Sequence, residues 1–171
     1  MSAVPHLRHP RWLLLALLGL LTACAARAPL PQIEPTLPQP LQLHLQVDID
    51  GQAQDWLLVI QREGQSLRWL LFDPLGVPLA RQSLRDGSWH ADGLLPPNPR
   101  ARELFAALLF ALTPSAQLTQ AYPDRLQVSG NQRRLQQGGA VRWQVEQLDT
   151  NTFTLRIGDE RYRARLLEQR Q

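Results

Sequence analysis

The sequence predicts an α+β fold, a curved antiparallel sheet closed by one main helix. Three observations carry that prediction. Residues 41–50 alternate apolar and polar without a break. Short apolar runs are punctuated by the turn dipeptides Asp50-Gly51, Glu63-Gly64, Asp86-Gly87 and Gly158-Asp159. A single helical pattern, opening at Pro99, interrupts these strands.

Taken in order, Leu41, Leu43, Leu45, Val47 and Ile49 are separated by Gln42, His44, Gln46 and Asp48, the period of a strand with one wet face. Residues 56–62 and 67–72 give the second and third strands, the third apolar on both faces at Leu70, Leu71 and Phe72. Two shorter strands at 77–84 and 88–91 flank Asp86-Gly87. Asn98 suits an N-cap and Pro99 a first helical residue. Leu104, Phe105, Leu108, Leu109 and Leu112 form one apolar stripe, and Thr113-Pro114 ends the helix. Strands follow at 125–129, 140–146, 152–157 and 161–167. The last pair again alternates, with Phe153, Leu155 and Ile157, then Tyr162, Ala164 and Leu166.

Composition removes several function classes. All 18 basic residues are Arg, against 15 acids, and the sequence pI is about 10. Without the leader residues Arg8 and Arg11, 16 Arg face 15 acids, a net charge of +1. That is no electrostatic footprint for nucleic acid. One Cys excludes an intramolecular disulfide and any Cys-rich metal site. The length suits one domain.

The amino terminus reads as a leader. Arg8 and Arg11 precede the apolar run Trp12–Leu21. As a helix that run spans about 15 Å, half of a roughly 30 Å hydrocarbon core, so it is a signal-peptide core rather than an anchor. Leu21-Thr22-Ala23-Cys24 then resembles the bacterial lipobox. The resemblance implies cleavage before Cys24 and diacylglyceryl and acyl (palmitate-type) modification of it, with two or more chains for stable anchoring. The alternative is an ordinary secretory signal with an incidental Cys; the position of the chain's single Cys at the cleavage point favours the lipobox. Ala25 follows Cys24 where an Asp would signal inner-membrane retention, so the expected location is the outer membrane, facing the periplasm. The expected organisation is a signal peptide at 1–23, a lipidated Cys with a Pro-rich tether at 24–40, and a folded domain at 41–171. Pro29, Pro31, Pro35, Pro38 and Pro40 keep the tether extended, with a reach of up to ~50 Å.

No catalytic constellation is visible. Ser88, His90 and Asp92 have triad residue types, but neighbours two apart on a strand lie roughly 6.5 Å apart along its axis. A triad needs contacts of about 2.6–3.2 Å. A solvated hairpin edge is the reading of these three, and His44 reads as a surface residue. Asp48 and Asp50 read as turn residues, and no metal or cofactor site is expected. Arg161, Arg163 and Arg165 form a polar strand face, open also to contact with anionic head groups.

One loop stands out. Phe72-Asp73-Pro74-Leu75-Gly76-Val77 puts Leu75 at the tip of a turn that Pro74 and Gly76 enforce. A neighbouring element could cover such a Leu, or it could protrude. With Leu70-Leu71-Phe72 leading into this loop, Asp86-Gly87 beyond it and the helix from Pro99, the stretch resembles the LolB family of outer-membrane lipoprotein receptors. The resemblance covers about 60 residues well. It implies an open β half-barrel like that of LolA and LolB, with an apolar cavity, and a protruding loop residue, Leu75, that inserts lipoproteins into the membrane. Residues expected around an acyl cavity are Leu58, Ile60, Leu71, Leu104, Leu108 and Trp143. The Trp that follows the helix in the receptors is missing from Leu118–Pro123, and the helix is more hydrophobic. In both respects the chain is similar to lipoproteins encoded in aryl polyene biosynthesis clusters, beside a LolA-like carrier.

Two functions therefore stand. One is a monomeric, non-catalytic protein that takes acyl chains or lipidated cargo from a periplasmic carrier and helps deliver it to the outer membrane. The other is an adaptor lipoprotein with a filled core that docks a partner in an envelope complex.

Overall fold

The computed structural model describes residues 27–49, 51–93 and 98–167. Ten strands form one sheet: β1 (Leu41–Ile49), β2 (Gln52–Glu63), β3 (Ser66–Phe72), β4 (Pro78–Arg85), β5 (Ser88–Ala91), β6 (Leu126–Ser129), β7 (Gln132–Gln137), β8 (Ala140–Gln147), β9 (Thr152–Ile157) and β10 (Glu160–Leu166). Two helices, α1 (Pro99–Leu112) and α2 (Ser115–Ala121), separate β5 from β6. The strand order is β5-β4-β3-β2-β1-β10-β9-β8-β7-β6, every neighbouring pair antiparallel. Pairing of the first strand with the last centres the sheet on β1 and leaves β5 and β6 as its edges. The result is a curved, open sheet, an α+β half-barrel.

The inner face is set by the period of two. Leu41, Leu43, Leu45 and Val47 are buried, and the partners across the ladder continue the same layer with Leu58, Ile60, Trp69 and Leu71 on one side and Tyr162, Ala164, Phe153 and Leu155 on the other. α1 fills the cup. Its N-cap Asn98 accepts a hydrogen bond from the Ala101 amide (3.1 Å), and Thr113 ends it by donating through Oγ1 to the Leu109 carbonyl (2.7 Å). Arg133 Nη1 donates to the Thr113 carbonyl at 2.8 Å, a cation at the negative end of the helix dipole, and burial lowers its guanidinium pKa. Every residue from Leu104 to Ala111 is buried. The helix is thus wrapped on all sides rather than along the one stripe expected, because the sheet curls around it and the small Ala side chains allow close approach. Phe105 packs on Trp69 and Trp89, and Phe110 on Trp143 and Tyr122, with ring centroids 5.1–6.0 Å apart.

Three elements differ from the sequence expectation. β2 starts at Gln52 rather than at Trp56, because ladder pairing with β1 continues through polar residues up to the turn. β7 was not expected: of its six residues only Leu135 is buried, so no alternation announces it, and pairing with β6 and β8 makes it a strand. α2 was not expected either, since only Leu118 and Ala121 mark its buried side in seven residues.

The Pro-rich segment 27–40 has no helix or strand, in keeping with its composition, but it does not stand clear as a free tether. Pro29, Pro35 and Leu37 are buried. The Gln32 amide donates to the Ala121 carbonyl (2.8 Å), the Thr36 amide to Gln117 Oε1 (3.0 Å), and Arg62 pairs with Glu34. Gln137 Nε2 reaches the Arg27 carbonyl, while Ala28 and Leu30 share a cavity wall with Ser88 and Trp89 of β5. These residues form a strap that is held by α2, by β5 and β2, and by the end of β7. The expected signal peptide and Cys24 lie outside the described residues.

Candidate functional site: an apolar rim

The antiparallel order puts the β1–β2, β3–β4, β7–β8 and β9–β10 turns at one end of the sheet. The first turn of α1 lies at this end, because Ala101 lines a cleft with Leu71 and Leu79 on either side of the β3–β4 turn.

That turn is built from its sequence. Asp73 starts a tight turn with Pro74 second and Gly76 fourth, and the Gly76 amide donates to the Asp73 carbonyl at 3.0 Å. Gly76 has φ 82°, a conformation that glycine adopts without penalty. The Asp73 carboxylate accepts from the Leu75 amide (2.9 Å) and from the Val77 amide (2.8 Å). This Asx turn fixes the backbone from inside, so no neighbouring element is needed to hold the loop. Leu75 stands at the apex, 88 % exposed, with Val77 beside it at 53 %. The alternative of a covered apex is therefore set aside.

Next to the loop the ladder slips between Leu71 and Phe72, so that Phe72 pairs with Pro78 while Leu71 pairs with Ala80. The slip leaves Leu79 at the edge of an apolar cleft of about 220 Å³ lined by Ile49, Trp56, Leu71, Leu79, Leu104 and Tyr162. Val141, 48 % exposed at the start of β8, extends the apolar rim across the same end. A polar cluster faces it. Glu103 accepts from Arg142 Nε (2.8 Å) and Nη2 (2.6 Å) and from Trp143 Nε1 (2.6 Å), which ties α1 to β8 and raises the Arg142 pKa. Glu160 accepts from both Arg100 and the Tyr162 hydroxyl.

Of the residues expected around an acyl cavity, Leu71 and Leu104 line the cleft, each 3 % exposed. Leu58, Ile60, Leu108 and Trp143 are at 0 %, packed between sheet and helix. The structure thus divides this set between a small cleft and a filled core. Pro74, Leu75, Gly76 and Val77 all lie in the protruding turn. Asp73, Leu79 and Val141 were not foreseen. Asp at the first position of a Pro-Leu-Gly turn is a recognisable signal for the Asx bond, whereas Leu79 and Val141 join the rim only through the ladder slip and the strand order.

Ser88, His90 and Asp92 lie at the β5 edge, and Asp92 pairs with Arg68 and Arg81 rather than with His90. His44 is on the outer face with Nε2 2.7 Å from Asp55 Oδ1, and the Gly51 amide donates to Asp48 Oδ1 as turn chemistry requires. Among the described residues no group of three or more His, Cys, Asp or Glu is placed to hold a metal ion, and no helix is long and apolar enough to cross a membrane.

No curated protein matches the chain. A family model does, described as a protein of unknown function (DUF3261), over residues 40–167, which is the whole sheet and both helices. On that match the chain belongs to the DUF3261 family.

Proposed function

We propose that this protein is a non-catalytic, LolB-like lipoprotein of the outer membrane, anchored through acylated Cys24, that passes acyl chains or lipidated cargo into the bilayer. The observation that carries this reading is Leu75. A large apolar side chain, 88 % exposed on a turn braced by its own Asp73, beside an apolar cleft, is suited to entering hydrocarbon. Each CH₂ moved from water into lipid contributes about 0.8 kcal/mol. The cleft, about 220 Å³, is smaller than the roughly 300–1,000 Å³ typical of ligand pockets, so it suits the end of a chain rather than a whole acyl group. Cargo would be a lipoprotein or an aryl polyene lipid handed over by a LolA-like periplasmic carrier.

The second reading, an adaptor with a filled core, is favoured by the complete burial of Leu58, Ile60, Leu108 and Trp143. One experiment decides between them. A soluble version, residues 27–171, is loaded with a fluorescent diacylated peptide and mixed with phosphatidylethanolamine–phosphatidylglycerol vesicles. Transfer that is lost in Leu75→Glu supports delivery. Failure of the unaltered protein to bind the peptide supports the adaptor.

A further inference from the structure

The lipidation site and the body of the protein are closer together than the Pro-rich composition suggests. Residues 27–40 are docked by the Gln32–Ala121, Thr36–Gln117 and Glu34–Arg62 contacts and by burial of Pro29, Pro35 and Leu37. The docked stretch begins at Arg27, whose carbonyl accepts from Gln137. Gln137 closes β7 at the β7–β8 turn, the end of the sheet that also carries Leu75, Val77, Leu79 and Val141. Whatever the conformation of residues 24–26, three residue steps span at most about 11 Å. A fully extended tether from residue 24 to 40 would allow ~50 Å.

We infer that the protein lies directly on the bilayer, with the Leu75 rim facing phospholipid and the lipidated Cys24 within about 11 Å of Arg27, where the docked strap begins. The inference rests on Cys24 being lipidated as proposed above. Its occupant is a phospholipid surface, because the end of the chain that carries the acyl groups leaves the body at the same end as the exposed apolar rim. A long tether would let any face meet the membrane; a three-residue one admits mainly the end from which it emerges. The strap is in this view a positioning device, which converts a general anchor into a defined orientation.

The test uses the full lipidated chain in phosphatidylethanolamine–phosphatidylglycerol vesicles containing head-group spin-labelled lipid. An environment-sensitive fluorophore is placed at Val141→Cys, on the rim, or at Val128→Cys, near the opposite end. Expected is at least a several-fold greater quenching at position 141 than at 128. Insertion of fifteen Gly/Ser residues between Ala26 and Arg27 leaves the strap intact and should reduce that difference. Equal quenching at the two positions in the unaltered chain would overturn the inference. Mass spectrometry of the amino-terminal peptide separates the possible failures. An unmodified Cys24 overturns the anchored reading and this orientation together, while a lipidated Cys24 with no preference for position 141 overturns the orientation alone.

Discussion

Leu75 loses no packing when it is changed, since nothing in the body covers it. Leu75→Glu should therefore alter stability by only about ±0.5 kcal/mol, as for other surface positions. On the proposed function, delivery of lipidated cargo to vesicles should fail nonetheless, because a carboxylate opposes entry into hydrocarbon. A thermal melt and a transfer assay on the one variant test both halves. Asp73 is the converse case, with its side chain holding two loop amides. Asp73→Ala should cost about 1 kcal/mol and loosen the loop, seen as a lower melting temperature and faster amide exchange at Leu75 and Val77. Glu103 serves Arg142 and Trp143 at once. Glu103→Ala should cost about 2 kcal/mol, less than for a fully buried pair because both partners retain some solvent contact. Denaturant unfolding measures it, and a loss under about 0.5 kcal/mol would count against the bond as the tie between α1 and β8.

At the scale of elements, the strap matters most. A version beginning at Leu41 removes the buried Leu37 and the Gln32–Ala121 bond, leaving α2 and part of the open side uncovered. Relative to a version beginning at Arg27 it should be less stable by at least about 2 kcal/mol, the contribution of burying one Leu. Both should remain β-rich by circular dichroism, since the strap contributes no strand. Equal melting temperatures would mean that the strap is not held in solution. α1 was legible as a helix from Asn98-Pro99 and from Thr113-Pro114, which are local signals. Its burial on every side was not, because that depends on strands far away in sequence curling around it.

For the molecule as a whole, two tyrosines tie the packing to pH. Burial raises the Tyr122 hydroxyl far above the usual phenol range. Burial and the bond to Glu160 do the same to Tyr162. In the unfolded chain both ionise near pH 10, so the folded state holds its protons to higher pH than the unfolded one. The stability this confers is intact below pH 10 and is lost as the pH rises from there toward the folded values, at up to about 1.4 kcal/mol per pH unit for each group. Melting temperature should fall steeply above pH 10, and Tyr122→Phe should soften the slope. An unchanged slope in that variant would assign alkaline unfolding to other groups.

What the sequence determined by itself was local. The alternation of Leu41 to Ile49 gave a strand with an assigned inner face, Asn98-Pro99 a helix start, and Asp73-Pro74-Leu75-Gly76 a turn with its apex residue. Each depends on residues within a few positions of one another, where period, capping and turn chemistry act. The tertiary structure decided the rest. β7 became a strand because two neighbours offered it hydrogen-bond partners, and the Pro-rich segment became a strap because β5, α2 and the end of β7 offered it cover and hydrogen-bond partners. Leu58, Ile60, Leu108 and Trp143 could have lined a cavity or a core, since an apolar side chain suits both. Whether α1 fills the cup is a matter of the volume between distant elements, and no periodicity along the chain encodes that volume.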